Sequence, residues 1–143
     1  MKPIKLTMQA FGSYGNKTSI DFTAPNQNLF LITGDTGAGK TTIFDAVVFA
    51  LYGEASSENN KKKGEELQSQ FSDYSVEPYV ELVFSERTGE EERIYTVKRV
   101  PKHLRAKKRG DGSTGQSEKV ALTMPDGTIY PQKETNKKLE EII

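Results

Sequence analysis

The sequence predicts an α/β fold in which an antiparallel β layer supports one buried helix. Apolar and polar residues alternate over 4–8 and again over 19–22, which is the period of half-buried strands. A continuous apolar run at 29–33 is typical of a strand covered on both faces. A glycine-rich segment follows, and then residues 41–52 are apolar on nearly every side, as in a buried helix. Gly53 stands where a helix C-terminal glycine belongs.

The remainder of the chain predicts two hairpins and a second helix. Strands at 79–84 and 94–100 flank a loose tip at 85–92, and strands at 119–124 and 128–130 flank the turn residues Pro125-Asp126-Gly127. A helical pattern begins near Lys133. Two polar stretches separate these elements. Residues 54–69 predict a flexible surface excursion, and residues 102–117, basic and then rich in Gly and Ser, predict a mobile loop.

The charge balance gives no global attraction to nucleic acid or membranes, because 20 basic residues face 20 acidic ones. The charges are unevenly distributed, since 54–92 has 11 acids and 4 bases while 93–119 has 9 bases and 2 acids. The absence of cysteine favours a reducing compartment, and His103, the only histidine, has no partner for a zinc site. The longest apolar stretch has 7 residues, against about 20 for a membrane span. The sequence therefore predicts a soluble cytoplasmic protein without membrane contact.

One motif predicts a binding site, namely the G-x-x-x-x-G-K-[ST] pattern of a P-loop, which binds nucleotide phosphates. Its glycines let successive backbone N–H groups approach phosphates closely at the N-terminus of a helix. Lys40 is expected to reach the β- and γ-phosphates, Thr41 to bind Mg²⁺, and Thr42 to donate to the α-phosphate. The candidate nucleotide-binding residues are Gly34, Asp35, Thr36, Gly37, Ala38, Gly39, Lys40, Thr41 and Thr42, with Thr41 as the metal ligand.

Three segments resemble the SbcC family, the ATPase subunits of bacterial SbcCD nucleases and an SMC-like branch of the ABC ATPases. The segment 30–53, FLITGDTGAGKTTIFDAVVFALYG, is similar to the family's strand, Walker A motif and first helix. The segment 1–22, MKPIKLTMQAFGSYGNKTSIDF, resembles its opening hairpin, and 79–99 resembles its next two strands. The resemblance thus covers nearly the whole chain and adds an ABC/SMC-like half-lobe to the predicted P-loop NTPase fold.

The resemblance implies that residues 1–143 are the N-terminal lobe of a larger ATPase head that binds ATP and Mg²⁺. In such proteins the N-terminal lobe pairs with a C-terminal lobe of its own chain at the base of a coiled coil. Two heads then bind ATP between them in a homodimer and act on DNA with an SbcD-like nuclease subunit. The implied role is DNA double-strand-break repair and recombination.

The sequence lacks several parts of that machinery. Residues 1–143 contain no apolar run ending in Asp-Glu, no Leu-Ser-Gly-Gly signature, no Q-loop glutamine after the last helix and no Cys-X-X-Cys hook. The isolated chain is therefore expected to be inactive as an ATPase. It also departs from related proteins that carry Arg after the opening Phe, because Gly12 follows Phe11 here. An arginine contact to nucleotide is thus not implied at this position.

Two alternative functions remain open from the residues. A stand-alone P-loop enzyme is disfavoured as a GTPase, because Asn136-Lys137 is followed by Lys138 rather than by the X-Asp of a guanine-binding motif, and as a small kinase, because 54–69 holds no arginine-rich lid. A nucleotide-binding module without turnover is the other alternative.

Several further residues have a functional and a structural interpretation. The cluster Lys102, Arg105, Lys107, Lys108 and Arg109 is either a DNA-phosphate contact or, more commonly, a solvated loop. Ser69-Gln70-Phe71 either passes near the nucleotide base or ends a helix. Asp45, one turn beyond Thr41, is expected to make a local contact rather than to act as a catalytic acid. The set Phe44, Phe49 and Tyr52 is expected to pack in the core.

Overall fold

The computed structural model describes residues 1–23, 33–34, 39–54 and 64–143 of the chain. The predicted strand at 29–33 lies outside these residues except for Thr33. Within the described ranges, the chain forms a six-stranded antiparallel sheet, a separate two-stranded ribbon, two α-helices and one short 3₁₀ helix. The strands are β1 Lys2–Gln9, β2 Thr18–Asp21, β3 Tyr79–Thr88, β4 Glu91–Val100, β5 His103–Ala106, β6 Ser113–Gln116, β7 Lys119–Thr123 and β8 Ile129–Tyr130. The helices are α1 Lys40–Tyr52, α2 Gln132–Ile142 and the 3₁₀ helix Gly64–Leu67.

The main sheet has the order β2-β1-β3-β4-β7-β8, and every neighbouring pair runs antiparallel. Because side chains alternate across a strand, one face of the sheet is apolar. The two helices cover that face, with α1 on β3 and β4 and α2 on β7. The predicted antiparallel layer is therefore confirmed, and the largest fully buried side chains on this face include Leu6, Met8, Leu82, Phe84, Val97 and Leu122.

The P-loop helix α1 buries one face rather than its whole circumference. Phe49 and Ala50 are at most 1% exposed and contact the sheet, whereas Phe44 is 62% and Tyr52 63% exposed. The prediction that the helix is buried all round is therefore wrong, and so is the assignment of Phe44 and Tyr52 to the core. A single sheet can cover only one side of a helix, and nothing in the described part of the chain covers the other. The predicted C-terminal glycine is confirmed, since the N–H of Gly53 donates to the carbonyl oxygen of Phe49 at 2.8 Å.

Residues 102–117, predicted as a mobile loop, form an ordered ribbon of β5 and β6. The Gln68 side chain both donates to the Leu104 carbonyl and accepts from the Leu104 N–H, at 2.8 and 2.9 Å. The Ala106 N–H donates to the Tyr74 carbonyl, and His103 at the ribbon's base is buried. The prediction was wrong because these anchoring contacts join residues about 30 positions apart, which composition alone does not register.

The end of the predicted surface excursion is likewise part of the fold. Leu67 is 2% exposed, and its carbonyl accepts from the Gly12 N–H at 2.8 Å. Ser69, also buried, donates its N–H to Ala10. Residues 64–69 are therefore not a flexible excursion, while 55–63 lie outside the described residues.

Both predicted hairpins are confirmed, although the first differs at its tip. β3 and β4 pair as far as Thr88 and Glu91, so that only Gly89 and Glu90 form the turn. The predicted loose tip at 85–92 is therefore wrong, because the strand pairing continues through its charged residues. In the second hairpin, the Gly127 N–H donates to Met124 and the Asp126 carboxylate accepts from the Thr128 N–H. No helix among the described residues is long and apolar enough to cross a membrane.

Candidate nucleotide-binding site

The candidate site lies at the N-terminus of α1, which begins at the motif lysine. Lys40 is partly buried, and its ammonium donates to the carbonyl oxygen of Gly34, the first glycine of the motif. The side chain thus points back toward the first glycine of the motif rather than along the helix. No side chain among the described residues caps the helix, and its first turn has no acidic residue. The N-terminal N–H groups and the positive end of the helix dipole are therefore available to an anion.

Gly39 is required at the last position before the helix for two reasons. Its φ of 93° lies in the left-handed region that side chains other than glycine rarely adopt. A Cβ at this position would also lie only 2.7 Å from the Tyr14 hydroxyl and 3.1 Å from Ser13 Oγ. The Tyr14 hydroxyl donates to the Gly39 carbonyl at 3.4 Å. The second motif glycine therefore lets the turn after β1 lie directly against the P-loop.

The same turn contacts the first turn of α1 through Thr42. Ser13 Oγ and Thr42 Oγ1 are 3.1 Å apart and share a hydrogen bond. Gly12 has a φ of 55°, and a Cβ there would lie 2.4 Å from Thr42 Cγ2. A side chain at position 12 would therefore have to displace the methyl group of Thr42. Thr42 is held by this turn, whereas Thr41 is exposed.

The structure brings four of the nine predicted site residues together at the helix, namely Gly39, Lys40, Thr41 and Thr42. Lys40 joins them to Gly34 at the start of the loop. Asp35, Thr36, Gly37 and Ala38 lie outside the described residues. Sequence reasoning missed the contributions of Ser13 and Tyr14. The adjacent departure at Gly12 was a signal that this turn approaches the helix, but nothing local in the sequence relates residues 12–14 to residues 39–42.

The arrangement fits a nucleoside triphosphate with Mg²⁺. A lysine ammonium directed across the loop and an uncapped helix N-terminus both favour phosphate groups. The exposed Thr41 hydroxyl is an oxygen donor of the kind that Mg²⁺ takes beside phosphates. The positive charge of Lys40 is not neutralised by an acid within this first turn. The site is therefore suited to bind a strongly anionic group.

Two other candidates near the site have defined positions. Phe71 is 69% exposed, and its carbonyl oxygen lies 2.8 Å from where a Cβ of Gly15 would be. The 69–71 segment therefore lies beside the turn that contacts Gly39, and its approach to a base stays a prediction. Asp45 is 7% exposed and faces the interior, which is consistent with a structural role rather than a catalytic one.

Comparison with known proteins identifies the family of this chain. Residues 5–142 match the model of the AAA domain, which is nearly the whole chain. The chain therefore belongs to the AAA domain family, in agreement with a P-loop at the start of α1.

More specific similarity is found to proteins named as the SbcC subunit of the nuclease SbcCD. The chain is 39% identical to that of Lactococcus lactis over 127 residues, which is 88% of this chain and 11% of the relative. It is 38% identical to that of Vibrio cholerae over 124 residues, 85% of this chain and 12% of the relative. It is 49% identical to that of Staphylococcus saprophyticus over 88 residues, 61% of this chain and 8% of the relative. The resemblance to SbcC is confirmed, and the chain spans about a tenth of the length of these relatives.

Proposed function

We propose that the chain is the ATP-binding N-terminal part of an SbcC-type ATPase that drives a partner nuclease in DNA double-strand-break repair and recombination. The observation that carries the proposal is Lys40, which opens α1 and directs its ammonium across the P-loop to Gly34. The similarity to an SbcC protein over 88% of the chain supports the particular class of ATPase.

In this role the residues of α1 bind and orient the triphosphate. Lys40 would exchange its contact with Gly34 for the β- and γ-phosphates, because a charged acceptor binds an ammonium more strongly than a neutral carbonyl. Thr41 would hold Mg²⁺, and Thr42, fixed by Ser13, would donate to the α-phosphate. Bound Mg²⁺ would neutralise part of the negative charge of the phosphates.

An ATPase of this type would have three protein partners: a C-terminal lobe of the same polypeptide, a second head in a homodimer, and an SbcD-like nuclease subunit. Two exposed apolar side chains of α1 support the need for a covering surface, namely Phe44 and Tyr52 at 62% and 63% exposure. Large apolar side chains on one helix face are characteristic of interaction surfaces. An SbcC-type role on bacterial chromosomal DNA would be carried out in the cytoplasm.

We expect the chain to bind ATP with Mg²⁺ and to show no preference for GTP. The asparagine of the nearest guanine-like motif, Asn136, has its side-chain oxygen engaged by Arg99, so it is not available to read a base. Calorimetric titration with each nucleotide measures the two affinities. A preference of about tenfold or more for GTP would indicate a guanine-reading site and overturn the assignment.

We further propose that DNA contacts the basic ribbon at its tip. Lys107, Lys108 and Arg109 are exposed, and none of the ion pairs found among the described residues engages them. The tip residues 107–112 contain no aromatic side chain on which a single-stranded base would stack. The ribbon is therefore suited to the phosphates of duplex DNA rather than to unpaired bases.

Replacing Lys107, Lys108 and Arg109 together with glutamine is expected to weaken duplex binding and to lower its salt dependence. Removing one phosphate-binding cation reduces the slope of log affinity against log salt by about 0.9. Fluorescence anisotropy with a labelled duplex measures both quantities. A matched variant changes the exposed Lys17, Lys133 and Lys137 to glutamine and removes the same charge elsewhere. An equal decrease in this control would show that net charge, not the ribbon, determines binding.

A further inference from the structure

Arg99 on β4 is a buried cation between the two helices. Its side chain is on the apolar face of the sheet, and the residue is only 3% exposed. Burial lowers the pKa of Arg99 below its usual value, and the negative charge of Glu118 acts in the opposite direction. Burying a guanidinium is strongly unfavourable unless its donors are satisfied. The contacts of Arg99 therefore have to explain why an arginine occupies this position.

Both helices supply an oxygen to Arg99. Its Nε donates to the carbonyl of Ala50 in the last turn of α1 at 3.2 Å, and its Nη2 donates to Asn136 Oδ1 on α2 at 2.9 Å. The guanidinium carbon lies 5.9 Å from the centre of the Phe49 ring. A positive charge at the C-terminal end of α1 also complements the helix dipole. Arg99 thus joins α1, α2 and the central strand β4.

The packing around Arg99 leaves little freedom for it to move. A Cβ at Gly53 would lie 3.1 Å from Nη1, so the glycine that ends α1 also gives the guanidinium its space. The planar guanidinium donates in two fixed directions, one to each helix. A displacement of α2 at Asn136 would therefore also shift the C-terminal end of α1.

We propose that Arg99, together with Asn136, is a positioning residue for the nucleotide site at the opposite end of α1. Lys40 is ten residues from Ala50, or about 15 Å along the helix. A helix transmits a change of orientation over this distance because it is rigid along its axis. The direction of α1, and with it the place of Lys40 and Thr41, is set by where Arg99 holds its last turn. The inference rests on the proposed ATP binding and adds α2 as an element to which that site responds.

The test is the affinity for ATP with Mg²⁺ of an Asn136→Ala variant of this chain. Asn136 is exposed, so its truncation removes the contact to Arg99 without opening a cavity. We expect affinity to fall roughly three- to thirtyfold. Lys137→Ala changes the neighbouring exposed residue of α2 and is expected to bind as the unchanged chain does.

A loss of global stability is separated from positioning by working where each variant is fully folded. Apparent affinity falls with the fraction of competent molecules, so a fully folded variant loses affinity only if its site has changed. Circular dichroism establishes the folded fraction, and calorimetry the affinity. Arg99→Lys is expected to bind no better than Asn136→Ala, because an ammonium cannot reproduce both directed bonds. The double variant should lose little more than either single one.

The outcomes distinguish this inference from the proposed function. If the unchanged chain binds ATP and Asn136→Ala binds within about twofold of it while fully folded, the positioning role is excluded and ATP binding stands. Additive losses in the double variant would also contradict a shared path through Arg99. If the unchanged chain does not bind ATP, the proposed function itself is wrong.

Discussion

Replacing Lys40 with alanine is expected to abolish measurable ATP binding while leaving the fold intact. In the proposed site Lys40 is the cation that would meet the phosphates, and its ammonium donates to the carbonyl oxygen of Gly34. A hydrogen bond to a charged group contributes about 1.5–3 kcal/mol. The loss of this bond and of the positive charge of Lys40 is expected to lower affinity by about a hundredfold or more. Calorimetry with Mg²⁺ and ATP measures the effect.

The fold is expected to survive because Lys40 is only partly buried and lies outside the core. Alanine also has a high helix propensity, so the first turn of α1 is retained. Lys133→Ala provides a matched control, since Lys133 is an exposed lysine in the first turn of α2. Equal ATP affinity in Lys40→Ala and the unchanged chain would refute the assignment of the site.

The second large effect concerns turnover, for which we expect the 143-residue chain to be indistinguishable from buffer. Hydrolysis requires a group that orients the attacking water and stabilisation of the transferred phosphoryl group. Lys40 and Thr41 supply charge and one Mg²⁺ ligand, but no Walker B carboxylate and no signature motif occur in the sequence. In P-loop NTPases a single arginine that stabilises the charge of the transition state is worth about 10³–10⁵ in rate. Phosphate release in the presence of ATP measures the rate.

Addition of the C-terminal lobe of an SbcC-type head is expected to restore turnover. The combination should lose activity again with Lys40→Ala, because the phosphates are no longer held. The opposite result would be robust ATPase activity of the chain alone that disappears in Lys40→Ala. It would identify a complete P-loop enzyme and contradict the proposal that this chain forms half of a site.

The sequence predicted the elements whose signals are local. The start of α1 at Lys40, its end before Gly53 and the turn at 125–127 follow from residue types within a few positions of each other. The alternation at 4–8 likewise predicted β1. Local steric and hydrogen-bonding preferences determine such features, so they can be read without knowledge of the tertiary structure.

The parts that could not be predicted depend on contacts between distant residues. The ribbon is anchored by Gln68, and the exposure of Phe44 follows from which face of α1 meets the sheet. Arg99 looked like one more cation in a basic segment, yet it is among the most buried residues. In the candidate site, the motif predicted which residues at the start of α1 would bind the nucleotide. It did not predict Ser13 and Tyr14, which approach them from a turn 25–29 positions earlier.

The contact between Gly12 and Thr42 restricts how these two positions evolve. A Cβ at position 12 would overlap the Thr42 side chain, whose Cγ2 is 2.4 Å away. A side chain gained at position 12 would therefore require residue 42 to be smaller or to adopt another rotamer. A nucleotide contact from residue 12 and a threonine at position 42 in its present orientation are thus mutually exclusive.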